Sequence, residues 1–294
     1  MNAHPRSVPD PARLEADVRT LSVVRHPVTA PDALAAAEDF IALELGAAGL
    51  RVERQLFEWR GTEFHNVVAT RDGSDPSLPI VVVGAHFDTR AATPGADDNA
   101  TGVAAMLEVA RMLRGERLRA TVQLVAFNLE ELQAKPFHYA LGSLAYARWL
   151  RAAGHPVAGV LVLEMLGYTD AKQGTPPGAR LFADVPREGN FLSAVGDRQS
   201  RGLLAAFARA AAPHLPVSTL TVPLRGWLLP DTRRSDNCRF WDLGYPALMV
   251  TDTADFRNPH YHRTSDTPDT LDFRFLTNAT AAVAAAVLDL AGTG

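Results

Sequence analysis

Ile80 to Arg114 reads IVVVGAHFDTRAATPGADDNATGVAAMLEVARMLR, and this stretch decides the fold. Ile80 to Val83 is a continuous β-branched run, the pattern of a strand covered on both faces, so Gly84-Ala85-His86-Phe87-Asp88 falls at its carboxyl end. Open α/β sheets keep their sites at that end of their strands. Side chains two apart in extended backbone share a face, so His86 and Asp88 can point the same way and the carboxylate can orient the imidazole. After Pro94-Gly95 the chain turns. Asp97-Asp98-Asn99 then precedes a helix whose Val103, Met106, Leu107, Ala110 and Leu113 keep helical spacing. His86, Asp88 and Asp97 are therefore three metal-ligating groups within twelve residues. The plainer reading of Asp98 or Asn99 is a helix cap.

Working outward, strands and helices alternate as in a doubly wound domain. Upstream lie a proline-rich arm over residues 1–30 with a short helical piece at Ala12 to Leu21, then a helix from Pro31 that ends at Gly46 to Gly49. Val52 to Trp59 and Asn66 to Thr70, parted by Arg60-Gly61-Thr62, predict an antiparallel edge hairpin. Downstream the patterning predicts a helix at Gly102 to Arg114, a strand at Ala120 to Asn128 and a helix at Ser143 to Ala153. It continues with a strand at Val157 to Glu164, a helix at Gly202 to Ala212, strands at Thr219 to Pro223 and Pro246 to Thr251, and an alanine-rich helix at Leu276 to Leu290. Proline and glycine cluster at 170–190 and 213–230 without a shift in composition, as in site loops within a single domain over 1–294. The expectation is an α/β fold, a three-layer αβα sandwich with a mixed, mostly parallel central sheet.

Composition narrows the function. The 294 residues carry 29 basic and 33 acidic side chains, a net charge of −4, without a basic block or stripe. Nucleic acid and membrane are poor partners for such a surface. The single cysteine, Cys238, rules out an internal disulfide framework and a thiolate zinc site, so any metal must be held by histidine and carboxylate. No apolar signal core and no stretch approaching membrane-span length is expected, which suggests a cytoplasmic protein.

Three further stretches carry chemistry. Val122 to Phe127 is a buried strand followed by Glu130-Glu131, and two adjacent glutamates are costly to hold together unless a cation or proton compensates them. Glu164 ends the apolar strand of AGVLVLEMLGY, where an isolated acid needs a partner. In NPHYHRTSDTPDTLD, His260 and His262 share a face if extended, so spacing alone does not choose between them. His138 reads as a surface residue.

Taken together, GAHFDT, PGADDNATG, the Glu-Glu pair, LEMLGY and YHRTSDTPDT resemble the zinc-dependent aminopeptidases whose site holds two zinc ions. Their order and spacing agree from about Pro31 to the C-terminus. The resemblance implies two zinc ions held by His86, Asp97, Glu131, Glu164 and His262, with Asp97 bridging. It selects His262, the residue after Tyr261, over His260. It implies Glu130 as proton-transfer base, Tyr261 as hydrogen-bond donor to the oxyanion and Asp88 as the residue that holds His86, with a peptide or aminoacyl substrate cleaved from its free amino end.

Two features depart from the family pattern. Leu132 to Leu141 is a longer loop, expected to wall the cleft, and Ser235-Asp236-Asn237 stands where relatives have Ser-Asp-His. Phe191, Trp227 and Phe256 are candidate walls of an apolar pocket. Alternatives are a one-zinc acyl transfer similar to that of glutaminyl cyclases, a carboxypeptidase or other amide hydrolase served by Arg225, Arg233, Arg234 or Arg263, and a non-catalytic binding domain of the same fold.

Overall fold

The computed structural model describes residues 8–131, 140–181 and 184–293. The valine run becomes β3 (Ile80–His86), an interior strand of an eight-stranded sheet. Its alternation feeds two cores: Val81 and Val83 pack on one side of the sheet and Val82 on the other, all completely buried. The other strands are β1 (Arg51–Trp59), β2 (Thr62–Arg71), β4 (Val122–Phe127), β5 (Val157–Glu164), β6 (Leu192–Asp197), β7 (Val217–Val222) and β8 (Ala247–Thr251). Across the sheet they run β1-β2-β4-β3-β5-β8-β6-β7. β4, β3, β5 and β8 are mutually parallel, whereas β1, β2 and β6 pair antiparallel, so the sheet is mixed as expected.

The helices are α1 (Pro11–Leu21), α2 (Pro31–Ala47), α3 (Gly102–Met112), α4 (Leu141–Ala152), α5 (Arg201–Ala211), α6 (Asn237–Asp242) and α7 (Phe273–Ala291). The buried side chains of α1, α2, α3, α5 and α7 join one core and those of α4 and α6 the other, which makes three layers. Contrary to expectation, α7 is long and apolar enough to cross a membrane, with a mean hydropathy of 1.3. Packing explains the composition: 61% of that window is buried inside the protein, where α7 lies against α3 and α5.

Three other expectations need revision. The hairpin turn is the two residues Arg60-Gly61, both at positive φ (52° and 77°), so β2 starts at Thr62 and pairs along its length with β1. Neither β6 nor α6 was expected, because LSAVGD and NCRFWD are short and lie among loop-forming residues. The N-terminal segment is no arm from residue 8 on. Leu14, Val18 and Leu21 of α1 are buried, and the fully buried Glu108 of α3 accepts from Arg13 and Arg111. Arg25, also fully buried, donates to the carbonyls of Val23, Phe87, Pro94 and Gly95 at 2.7–3.2 Å. It thereby ties the end of β3 to the loop that carries the acidic pair. Its cationic form is disfavoured by burial, and its pKa falls to about 10.

Candidate metal centre and adjoining cavity

Because β3, β4, β5 and β8 are parallel, their carboxyl ends reach one edge together. His86 ends β3, Glu164 ends β5, and Glu130-Glu131 follows β4. His86 Nε2 lies 3.3 Å from Asp98 Oδ1 and 3.4 Å from Glu164 Oε2. On the other side, His262 Nε2 lies 3.1 Å from Asp98 Oδ2 and 2.8 Å from Glu131 Oε1. The five side chains thus form two triads, His86–Asp98–Glu164 and Asp98–Glu131–His262, which share Asp98.

Asp97, expected at the centre from the sequence, is not there. Within Ala96–Thr101 the backbone leaves helical angles at Asp98 (φ −102°, ψ 86°), which turns neighbouring carboxylates apart. Asp97 Oδ1 accepts from the Gly167 amide at 2.9 Å and Oδ2 from Asn258 Nδ2 at 2.6 Å. It is a buried structural acceptor, while Asp98 offers one oxygen to each histidine. The turn is held by Asp266, whose carboxylate accepts from the amides of both Asp97 (2.9 Å) and Asp98 (3.2 Å).

Asp88 also departs from expectation. His86 Nδ1 faces the Asp88 backbone carbonyl at 3.2 Å, and the carboxylate is farther away, at 3.7 Å. That carboxylate accepts from the amides of Glu130 and Glu131, both at 2.9 Å. Asp88 therefore fixes the glutamate pair, and its main chain orients the imidazole.

The arrangement is short of positive charge. Burial pushes Glu131 up to about 7, with the Asp98 charge adding to it. Burial also drives Glu130 well above the carboxylate range, and Glu131 and Glu164 reinforce this. Burial opposes protonation of the histidines, yet Glu164, Asp88 and Asp98 carry His86 well above its ordinary value, and Asp98 and Glu131 carry His262 to about 9. Burial opposes ionisation of Asp98 too, but the two histidines hold it below the usual carboxylate range. A cluster that retains protons in this way also attracts cations. Geometry fits the same conclusion. Glu131 Oε1 and His262 Nε2 are buried and close, yet among the described residues neither has a hydrogen-bond partner of suitable alignment. Imidazole nitrogens and carboxylate oxygens converging in this number suit zinc.

Glu130 is buried near His86, Glu131, Glu164 and Asp236 but belongs to neither triad. Tyr261 stacks on His262, with ring centroids 3.6 Å apart, and the Arg234 guanidinium carbon lies 5.3 Å from its ring. His262 itself sits at positive φ (58°), an uncommon conformation for a non-glycine residue. His260 turns away and meets Ser265 Oγ at 2.9 Å. Ser235 donates to Glu164 at 2.6 Å, and Asn237 donates to the Thr232 carbonyl.

Beside Glu164 and Tyr261 opens a cavity of about 810 Å³ including its mouth. Phe191 and Phe256 line it as expected; Trp227 does not, and instead stacks on Arg233 at 4.1 Å. The Leu132–Leu141 loop and His138 fall, over 132–139, outside the described residues. Asp98, read from the sequence as a helix cap, and Asp266 were not assigned to the site, and Arg234 was named only among the loop arginines that could meet a substrate carboxylate. Asp98 carried a signal, since it belongs to the same acidic pair, but nothing local distinguishes the two members.

Comparison with known proteins fits this geometry. The pattern of Peptidase family M28 matches residues 66–287, and the chain belongs to that family. It is 34% identical over 278 residues to the uncharacterized protein YfbL of Escherichia coli K12, covering 90% of this chain and 83% of that one. A probable zinc metalloprotease of Pyrenophora tritici-repentis is 29% identical over 251 residues, covering 76% of this chain and 56% of that one. A probable leucine aminopeptidase 1 of Trichophyton verrucosum is 30% identical over 228 residues, covering 71% and 53%. The chain thus spans about half the length of these fungal relatives. In fold it is similar to the LapA aminopeptidase of Legionella pneumophila (TM-score 0.74, 19% identity, 96% of this chain and 72% of that one). It is equally similar to the glutaminyl cyclase of Porphyromonas gingivalis (TM-score 0.72, 21% identity, 95% and 98%).

Proposed function

We propose that this M28 peptidase is a two-zinc aminopeptidase. The observation that carries the reading is the placement of Asp98, whose two oxygens each face a different histidine and divide five donors into two complete triads. One ion would be held by His86, Asp98 and Glu164, the other by Asp98, Glu131 and His262. The zinc named for fungal relatives supports it, as do the buried Glu131 Oε1 and His262 Nε2, which lack an aligned hydrogen bond among the described residues. Two triads favour this reading over one-zinc acyl transfer.

Zinc, when bound, supplies Lewis acidity to the scissile carbonyl and to a water nucleophile. Glu130 takes a proton from the attacking water and returns it to the leaving amine nitrogen, a role suited to a carboxyl whose affinity for protons burial has raised. Tyr261 directs its O–H at the carbonyl oxygen as negative charge develops there, with the Arg234 guanidinium beside its ring.

Reading of the amino end is supported by the arginines. A substrate carboxylate would need an uncommitted cation, and three of the four arginines named for that role are engaged: Arg233 is bound by Asp242 at 2.8 Å, Arg234 is bound by Asp231 and Asp255, and Arg225 donates to the Asp242 carbonyl, while Arg263 is exposed. The acids of the cluster favour an α-ammonium. The test combines metal analysis with one peptide in two blocked forms. About two zinc ions per chain, loss of activity on chelation and its return with zinc, and cleavage abolished by N-acetylation but retained on C-amidation are expected. Cleavage that survives acetylation and is lost on amidation would overturn the assignment.

A further inference from the structure

The cavity beside the metal cluster has walls of one character and a mouth of another. Phe191, Val195, Leu220, Met249 and Phe256 make an apolar interior. Phe191 is held in place by Arg257, which donates to its carbonyl at 2.9 Å and lies 4.7 Å from its ring. Besides Glu164, the charged side chains among the described lining residues are Asp231, Arg234 and Asp255. Arg234 Nη1 stands between the two aspartates, 3.4 Å from Asp231 Oδ1 and 3.1 Å from Asp255 Oδ1, while its guanidinium carbon lies 5.3 Å from the Tyr261 ring. All three are partly exposed, so the arrangement is reachable from solvent as well as from the cavity.

We infer that Arg234 is a specificity-determining residue: it occupies the position that a basic substrate side chain would need between Asp231 and Asp255, and so reserves the pocket for neutral apolar side chains. This rests on the aminopeptidase reading. The physical basis is that two partly exposed aspartates beside an apolar wall would otherwise form a cation site at the pocket mouth. Arg234 supplies that cation internally, so an incoming ammonium or guanidinium meets like charge instead of a free carboxylate. A methylene chain ending in a methyl group meets only the apolar wall.

The test uses norleucine and lysine anilides with free amino groups, which share a four-carbon stem and differ in the terminal ammonium. The wild-type enzyme is expected to prefer norleucine in kcat/KM. Arg234→Gln is expected to raise the lysine-to-norleucine ratio about fivefold, the upper scale of one partly exposed charge interaction. Adding Asp255→Asn to Arg234→Gln is expected to return the ratio toward that of the wild type. Any disturbance of Tyr261 by loss of Arg234 falls on both substrates and cancels in the ratio. A wild-type enzyme indifferent to the terminal charge, or an unchanged ratio in Arg234→Gln, overturns the inference. If neither anilide is cleaved, the aminopeptidase reading fails, and the pocket is judged by calorimetric binding of norleucinamide and lysinamide. A wild-type preference for norleucinamide that reverses in Arg234→Gln supports the role of Arg234; equal or absent binding overturns it.

Discussion

The two acidic pairs, Asp97-Asp98 and Glu130-Glu131, are held by the same device and used differently. In each, a buried carboxylate distant in sequence accepts from both backbone amides, Asp266 for the aspartates and Asp88 for the glutamates. In each, the second residue faces a histidine across the cluster. The first residues diverge. Asp97 is turned into the protein onto Gly167 and Asn258, whereas Glu130 stays in the site among His86, Glu131 and Glu164. The lesson is that adjacency of two acids says little about their roles. What separates them is the direction imposed by the turn beneath them.

The comparison can be broken first at the second residues. Asp98→Asn is expected to lose both metals and to lower turnover by roughly four orders of magnitude or more, because one carboxylate serves both triads. Metal analysis and kcat on the same preparation check this, and a variant that kept two metals would deny Asp98 its bridging place. Next, Glu130→Gln is expected to keep its metal content while kcat falls about 10²–10⁴-fold, the usual contribution of a general base. Glu131→Gln should lose metal instead, and exchanged outcomes would reverse the roles within the pair.

Asp97 gives the sharpest contrast. Asp97→Asn replaces an acceptor aimed at the Gly167 amide with a side chain that can present a donor there, at a cost of about 1–3 kcal/mol in urea unfolding. Burial, together with Asp252, already raises the Asp97 pKa well above the ordinary value. Metal content should stay near that of the wild type, and a loss matching that of Asp98→Asn would erase the distinction between the two aspartates.

The smallest effect lies beside the Asp88 clamp. His26 Nδ1 accepts from the amides of Val28 and Thr29, and burial, with Arg90 nearby, lowers its pKa. The neutral ring is therefore the one the fold prefers. Its contribution is fully present above the unfolded value of about 6.5 and is lost as pH falls through the lower folded value. Against His26→Leu, the wild-type advantage in urea unfolding should be at most about 1 kcal/mol at pH 7.5 and should shrink toward pH 5. An advantage that grew on acidification would contradict the assignment.

Much of this was legible in the chain because it rests on local periodicity. The valine run before His86, the apolar run before Glu164 and the strand before Glu130-Glu131 announce buried strands, and parallel strands bring their carboxyl ends together whatever the loops do. Hence His86, Glu131, Glu164 and His262 were named from sequence, with Glu131 chosen over Glu130 and His262 over His260 by resemblance alone. Choosing Asp98 over Asp97 was beyond the sequence. Adjacent residues in an irregular turn have no fixed period, and the backbone angles at Asp98 depend on Asp266, far along the chain. The same holds for Arg25, which reads as part of a terminal arm until its guanidinium is seen among the carbonyls of Phe87, Pro94 and Gly95. It holds also for Arg234, one of several loop arginines until Asp231 and Asp255 close on it. Strand ends follow from hydrophobic pattern, which the sequence determines by itself. The direction of a charged side chain follows from which distant partner satisfies it, and only the tertiary structure decides that.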